Sequence, residues 1–227
     1  MAKIKSDAHL YLTPTGAPAP VPVTITTLTN ADPIVITPAT MPVGLAVGDV
    51  VGIDGTGEPL LDGYEFRVLT LDATTITLDD FDGTRLTAAV ATGTLTAYTK
   101  TGAGALLEAC MATITVTGVP PDSIAMDDMC GSTTVQGSPK PPTFTFNGFI
   151  DKESAGLSNL FQASLEDPKQ ERWMLIDYTE DGGYIFGPVE IGEMTVTAGV
   201  GQGLQFSGSG IFTEVPTYSW ALGPATV

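Results

Sequence analysis

The sequence predicts a mainly β protein with one α-helix, and three observations lead to that prediction. The chain of 227 residues is rich in Thr, Val, Ile and Gly and contains 17 prolines, a composition that favours short strands joined by turns. Stretches that alternate between apolar and polar residues recur along the chain, with Gly, Pro and Asp turn signals between them. A convincing helical spacing of apolar residues occurs in one stretch only, residues 157–165.

The first half of the chain predicts a short strand, a connector and a compact β block. A short strand is predicted at the start of residues 9–15, and the proline-rich residues 16–22 are predicted to form a stiff extended connector. Turn signals such as Asp54-Gly55 and Asp62-Gly63 then separate the strands of a block that could fold by itself. The strands predicted there are 23–28, 34–37, 49–53, 64–71, 75–78 and 94–99.

The middle of the chain is less regular. Residues 103–110 are compatible with a helical turn or a strand, and 111–117 alternate as a strand. Residues 118–143 contain five prolines and little periodicity, so they are predicted to form a long loop. Alternation resumes in a strand at 143–150.

One helix follows, with apolar positions spaced by three and four residues. Pro168 ends it, and strands are predicted at 173–178 and 184–186. Gly187-Pro188 is expected to break the second of these strands, and the tail from Glu214 to Val227 is expected to be loose. The residues predicted to pack the helix on the sheet are Leu157, Leu160, Phe161 and Leu165.

The glycine-rich stretch TAGVGQGLQFSGSGIF, residues 197–212, predicts a β-hairpin rather than a phosphate-binding loop. A phosphate loop needs a helix directly after its glycines and a Lys-Ser/Thr pair, and neither follows. The segments on both sides alternate at period two, so the hairpin spans Glu193–Phe212. Leu204 and Phe206 are expected to face the core, and Gln205 and Ser207 the opposite side.

The charge argues against nucleic-acid binding through phosphates. The formal net charge is −17, with nine basic and 26 acidic residues, and phosphate neutralisation requires clustered Lys and Arg. The N-terminus has no apolar run of the kind found in signal peptides, and no stretch of about 20 apolar residues is present. We therefore expect a soluble protein that is made in the cytoplasm and does not insert into membranes.

The sequence offers no catalytic constellation, so we do not expect an enzyme, a cofactor or a metal site. His9 is the single histidine, and no nucleophile elbow accompanies it. Cys110 and Cys130 are too few for a disulfide framework and are interpreted as two buried thiols. The acidic cluster Asp79, Asp80 and Asp82 lacks the third ligand and closing glutamate of a calcium loop. The acidic pairs 127–128 and 166–167 lack the aromatic groove of a glycosidase.

Residues 28–97 carry a first resemblance. The stretches PIVIT at 33–37, GLAVGDVVGIDG at 44–55, LDGYEFRV at 61–68 and TTITLDD at 74–80 occur in the order of a small β-module. This module resembles one common in phage structural proteins and is similar to the first catalytic cysteine half-domain of ubiquitin-activating enzymes. The block contains no cysteine, and the resemblance implies an inserted small β-barrel-like domain without ubiquitin chemistry.

The rest of the chain carries a second resemblance. GVPPDSIAMDDMCG at 118–131, TFTFNGFIDKESAGLSNLFQASLED at 143–167 and the segment 171–212 resemble the major tail tube protein of long-tailed, siphovirus-like bacteriophages. The resemblance implies a discontinuous tail tube domain, residues 1–27 and 98–213, with a β-sandwich or barrel fold and one flanking helix. The insert 28–97 is expected to face outward, and residues 214–227 form the tail.

The second resemblance implies a structural virion protein. Six copies would close into a ring, and rings would stack into a tail tube that conducts DNA through an acidic lumen without binding it specifically. Its partners would be other copies of itself and the tape measure, tail terminator and baseplate proteins, with assembly in the host cytoplasm. The loop 118–143 would reach toward the next ring. The candidate assembly and lumen residues of the hairpin are Glu193, Thr195, Thr197, Gln202, Gln205 and Ser207.

Two other functions stay open on the sequence alone. A tail terminator or baseplate component would form a single ring instead of a tube. A surface-binding or carbohydrate-binding β-module would stay monomeric and bind glycans.

Overall fold

The fold is mainly β with one α-helix, as predicted. The computed structural model describes residues 8–79, 81–86, 92–102, 104–117, 123–128, 131–136, 141–151, 153–178, 183–198 and 203–219. Within these ranges the helix is α1 (Ala155–Leu165), and a short 3-10 turn covers Gly83–Arg85. The strands are β1 (Ala8–Leu12), β2 (Val23–Leu28), β3 (Val35–Pro38), β4 (Val50–Asp54), β5 (Tyr64–Leu71), β6 (Ile76–Leu78), β7 (Thr94–Tyr98), β8 (Leu107–Cys110), β9 (Thr113–Thr117), β10 (Ser123–Asp128), β11 (Gly131–Gln136), β12 (Thr143–Phe149), β13 (Arg172–Tyr178), β14 (Gly183–Thr197), β15 (Gln205–Phe212) and β16 (Thr217–Ser219).

The strands β2 to β7 close into a six-stranded antiparallel barrel. Their order around the barrel is β2-β3-β6-β5-β4-β7, and alternate residues fill an apolar interior that includes Ile36, Val51 and Leu95. Closure leaves no free strand edge in the barrel itself. The first barrel strand begins at Val23, inside the range 1–27 that the sequence analysis gives to the other domain.

The remaining strands form a second, larger sheet that curls around its own core. Its order is β8-β1-β13-β14-β15-β12-β9, with β16 beside β14. The outermost strands β8 and β9 are joined by only two residues, Met111 and Ala112, which span roughly 10 Å at most. The two ends of the sheet must therefore lie close together, with β1 and β13 facing β12 and β15 across the core.

Helix α1 fills the inside of this curl, and three of its four predicted packing residues contact the core. Leu157 and Leu160 are buried and Phe161 is half-buried against the core, whereas Leu165 is 81% exposed. The buried face also includes the small residues Gly156 and Ala163. These let the helix approach β8 so closely that a Cβ on Gly156 would lie 1.8 Å from the Glu108 carbonyl oxygen. Apolar spacing alone did not reveal this, because glycine gives no hydrophobic signal.

A buried polar network fixes the helix to the segment after β1. Arg172 is 4% exposed, and its guanidinium donates to the Thr13 carbonyl, to Asn159 Oδ1 and to Thr15 Oγ1. It also pairs with Glu166 just after the helix. Because charged hydrogen bonds of a buried arginine are directional, this network sets the position of α1 against β13.

Strand β14 does not break at Gly187-Pro188, contrary to prediction, and runs for 15 residues. The carbonyl of Pro188 accepts from the Thr213 N–H at 2.9 Å, and the amide of a strand residue points to the same side as its carbonyl. The hydrogen that proline lacks would therefore face the gap after β15 rather than β13. Proline is tolerated at such a position because no ladder bond is lost.

Three other segments also differ from, or go beyond, the sequence expectations. The predicted loop 118–143 contains the antiparallel hairpin β10–β11, paired from Ser123–Gln136 to Asp128–Gly131. Residues 107–110, left open between helix and strand, form β8 beside β1. The predicted loose tail contains β16, which pairs with β14 from Tyr184 to Phe186.

Candidate assembly surface

One part of the large sheet forms a four-stranded segment with two distinct faces. It consists of β9, β12, β15 and the part of β14 that follows Val189, paired in the order β9-β12-β15-β14. Strand β12 alternates strictly between exposed and buried residues. Its buried side chains, Phe144 and Phe146, belong to the core with Phe206 of β15. The opposite face carries the exposed side chains.

That opposite face, the polar face, carries mostly hydroxyl and amide groups, and Phe149 and Ile211 are exposed apolar residues on it. Five of the six hairpin residues singled out from the sequence are described, and all five lie on it; Gln202 lies outside the described residues. Neighbouring strands contribute threonines that the sequence analysis did not select, although their alternation could have revealed them. The exposed polar side chains of this face are Thr113, Thr115, Thr117, Thr143, Thr145, Asn147, Glu193, Thr195, Thr197, Gln205, Ser207 and Ser209.

Two glycines of β15 have a packing role that the sequence analysis missed. Gly208 and Gly210 pair with Phe146 and Phe144. A Cβ on Gly208 would lie 2.5 Å from the Phe146 ring, and a Cβ on Gly210 would lie 2.3 Å from the Phe144 ring. The phenylalanines thus cover the glycines on the core face. The signal in the sequence was the presence of FTF at 144–146 and GSG at 208–210, which face each other in β12 and β15.

Leu204 does not face the core as predicted. Its side chain is 42% exposed, whereas Phe206 is 1% exposed. Strand β15 begins only at Gln205, so Leu204 lies beyond the end of the core.

The polar face carries little charge for so acidic a protein. Among its described residues the ionised side chains are Glu190 and Glu193, both on β14, where a β-bulge lies between Ile191 and Met194. Ten of the 26 acidic residues lie instead in residues 28–97. The net charge of the chain therefore does not describe the charge of this face.

The four-stranded segment has two open edges. Strand β9 pairs on one side with β12, and no described strand lies on its other side. Strand β13 accompanies β14 only as far as Val189, so in the described part of the chain the Met194–Thr197 stretch pairs with β15 alone. Open edges of this kind are templates for pairing with another chain.

The hydrogen-bond directions show which residues have backbone groups that point outward at these two edges. The Phe212 N–H donates to the Pro142 carbonyl, and the Ile150 N–H donates to the Leu204 carbonyl. The backbone N–H and C=O groups of even-numbered residues in β12 therefore point toward β15. Following the registers outward, the backbone groups of Thr195 point toward β15. Those of Val196 point away from the sheet, as do those of Val116 on the opposite edge.

In the described part of the chain, the other chemical candidates from the sequence lie in separate places. His9 lies in β1 and pairs with Glu108 of β8, and Asp82 accepts from the Thr84 N–H to begin the 3-10 turn. Asp80, Cys130 and the Cys110 side chain lie outside the described part of the chain. Within that part, no three His, Cys, Asp or Glu side chains are grouped to hold a metal ion. No helix there has the length and apolarity to span a membrane.

The barrel is attached to the large sheet on β13 and the first half of β14. Tyr98 of β7 packs on Trp173 and Phe186, with ring centroids 4.7 Å apart in both pairs. Beside them Asp177, which is 3% exposed, lies 2.7 Å from Lys100 Nζ and 3.4 Å from Arg67 Nη2. An apolar stack and a buried ionic cluster therefore hold the two units together.

A half-buried carboxyl group, that of Glu65, lies in the same junction. Thr217 of β16 donates to Glu65 of β5 at 2.5 Å. Burial raises the pKa of the Glu65 carboxyl above its ordinary value of 4.5, and this outweighs the opposing effect of the Thr217 hydrogen bond. The folded state therefore disfavours the charged form of Glu65.

We expect Glu65→Gln to increase the thermal stability of the protein at pH 7. A group with a raised folded-state pKa stabilises the fold at low pH and loses that contribution as pH rises through its folded pKa. The variant should thus melt at a higher temperature than the wild type at pH 7 and at the same temperature below pH 4.5. Melting curves over this range would test this, and an equal difference at all pH values would contradict it.

Comparisons with known proteins are sparse. No family model matches the chain, and no curated protein matches it. Among solved structures, one similar chain is described as the tail of an empty GTA particle computed with helical refinement and C6 symmetry. The similarity covers 47% of this chain and 78% of that chain, at 7% sequence identity and a TM-score of 0.36.

Proposed function

We propose that this chain is a structural virion protein whose copies join edge to edge into hexameric rings that stack as a phage tail tube. The sequence motifs that resemble tail tube proteins indicate the class of protein and imply six copies in each ring. The two open edges that border the polar face carry the proposal, because they provide a way to build the ring. In this role the chain acts as a structural protein and not as an enzyme.

The strand directions favour edge-to-edge joining. The segment has four strands in an antiparallel order, so β9 and β14 run in opposite directions. When β14 of one copy lies beside β9 of the next, the junction is antiparallel like every other pair in the segment. Such a head-to-tail contact generates a ring when its rotation closes, and closure removes both edges.

The size of the resulting ring suits a DNA conduit. Six copies of four strands give about 24 strands, and at roughly 4.8 Å per strand with a tilt near 40° the barrel would be roughly 50 Å wide between facing backbones. This width exceeds that of a DNA double helix with room for the side chains. The polar face would line the lumen.

The attachment of the barrel supports an outward position for the insert. The curl of the large sheet places β1 and β13 across the core from β12 and β15. The barrel covers the outer surface of β13, and the polar face is the outer surface of β12 and β15. With the polar face toward the lumen, the barrel therefore points away from it. A virion map that placed the barrel inside the lumen would refute this arrangement.

The polar face would give the lumen a surface with a small negative charge rather than a large one. Hydroxyl and amide groups bind phosphates poorly without a cation nearby, and the described face contains no Lys or Arg. The carboxylates of Glu190 and Glu193 add repulsion toward a polyanion at short range. DNA would consequently pass without specific binding.

Negative-stain electron microscopy of the purified chain tests the proposal. We expect rings whose mass corresponds to about six copies of the chain, or tubes of stacked rings, and sedimentation should show the same species. A chain that stays monomeric over a range of salt and protein concentrations would refute the proposal. Rings that never stack would favour a tail terminator or baseplate component, and a monomer that binds glycans would favour a surface-binding module. The tape measure, terminator and baseplate partners, and assembly in the host cytoplasm, belong to the same proposal.

A further inference from the structure

A cavity of about 450 Å³ lies between the barrel and the segment that leads into β16. It reaches from the surface toward the core, because its wall includes Tyr64, which is 51% exposed, and Phe186, which is fully buried. Two carboxyl groups also line it, those of Glu65 in β5 and of Glu214 just after β15. The other residues that line it are glycines, prolines, a valine and a threonine.

The two carboxyl groups of the cavity are not neutralised by the chain around them. Within the described part of the chain, neither forms a salt bridge with Lys or Arg. Arg67, two residues after Glu65 in β5, pairs with Asp177 instead. Burial raises the pKa of the Glu65 carboxyl, and the negative charge of Glu214 adds to this rise. Because the site disfavours a further negative charge, it favours a positively charged occupant.

The volume and the wall of the cavity indicate an organic cation rather than a metal ion. A hard metal ion needs about six oxygen ligands, and among the described residues no three His, Cys, Asp or Glu side chains are grouped to hold one. The volume lies in the range of sites for small molecules. The rings of Tyr64 and Phe186 and the neighbouring prolines offer an aliphatic chain an apolar wall, while carboxylates bind an ammonium group through charge-assisted hydrogen bonds.

We propose that this cavity, the amine cavity, binds an alkylammonium group, with its nitrogen at the carboxylates of Glu65 and Glu214 and its aliphatic chain along Tyr64 and Phe186. Such a group is the end of a lysine side chain and also occurs in free alkylamines. The site goes beyond the proposed function and does not depend on it, because all the residues that line the cavity belong to one copy of the chain.

Calorimetric titration of the protein with n-pentylammonium chloride at pH 7 tests the proposal. We expect one saturable site per chain at a salt concentration of about 0.15 M. The ammonium ion lacks the aliphatic chain and n-pentanol lacks the charge, so each should bind at least roughly tenfold more weakly. Ammonium that binds as tightly as n-pentylammonium would overturn the proposal, because the apolar wall would then contribute nothing.

The double variant Glu65→Gln with Glu214→Gln should bind n-pentylammonium at least roughly tenfold more weakly than the wild type, because the amides keep the shape and lose the charge. The matched control is Asp54→Asn with Asp72→Asn, which removes the same charge from exposed positions of the barrel that do not line the cavity. It should bind like the wild type, and melting curves should show that both double variants are folded. An equal loss in both would mean attraction to the net charge alone and would overturn the proposal.

The same titration on the monomeric and the assembled fractions identifies the source of the amine. Binding to monomers but not to rings would mean that a lysine of a neighbouring copy occupies the amine cavity in the assembly, whereas binding to both would mean that a free amine does. No saturable binding to the monomeric fraction would overturn the proposal. Absence of rings would instead refute the proposed function, and the titration of the monomer would still decide whether the amine cavity exists.

Discussion

Val196→Pro should abolish ring formation while leaving the monomer folded. The backbone groups of Val196 point away from β15, so proline there removes an N–H that the monomer does not use in its own ladder. In a ring the same N–H would bond to β9 of the next copy, and proline would both remove that bond and obstruct the approach. Sedimentation and electron microscopy should show monomers only, at any concentration that gives rings with the wild type.

Thr195→Pro is the matched control for this experiment. Thr195 pairs with Ser207, and its backbone groups point toward β15, so proline at this position breaks a bond inside the monomer. We expect a loss of about 3 kcal/mol in the free energy of unfolding, against a much smaller loss for Val196→Pro. Rings that form normally from Val196→Pro would show that β14 is not the assembling edge.

Asp177→Asn should weaken the attachment of the barrel to the large sheet. The carboxylate lies between Lys100 and Arg67 at the buried junction, and the amide has nearly the same shape without the charge. Lys100 and Arg67 would then lose the carboxylate that lies between them. Removal of one partner of a buried ionic cluster costs about 3 kcal/mol or more, which should be measurable in chemical unfolding.

The weaker attachment in Asp177→Asn should lower the cooperativity of unfolding as well as its midpoint. The barrel and the sheet each have their own apolar core, so a weakened junction should let them unfold in separate steps. Glu108→Gln, which breaks the exposed pair with His9, is the control and should cost less than about 1 kcal/mol. A single unchanged transition for Asp177→Asn would mean that the aromatic stack alone holds the junction.

Much of the fold could be predicted from the sequence because period-two alternation reports which side of a strand is buried. Strands β3, β6 and β12 and the start of β15 show it. The polar face was only partly predicted: residues 193–207 stood out through their glycines, whereas Thr113, Thr115 and Thr145 became part of the same surface only when β9 and β12 paired beside them.

The departures from prediction have a common cause in tertiary contacts. Pro188 is tolerated inside β14 because its nitrogen faces a gap in the ladder. Helix α1 turns its glycine toward the sheet because a close approach to β8 favours a small residue over a larger apolar one, and this leaves Leu165 in solvent. Strand β16 forms because β14 offers it an edge. None of these partners is close in the sequence.

The sequence by itself determined that this protein is built from short strands with one helix, because composition and alternation act locally on each segment. Only the tertiary structure decided which strands end the four-stranded segment, which backbone groups stay open along β9 and β14, and that most of the negative charge lies away from the polar face. These features depend on pairing between residues that are distant in the chain, and local propensity carries no information about such pairs.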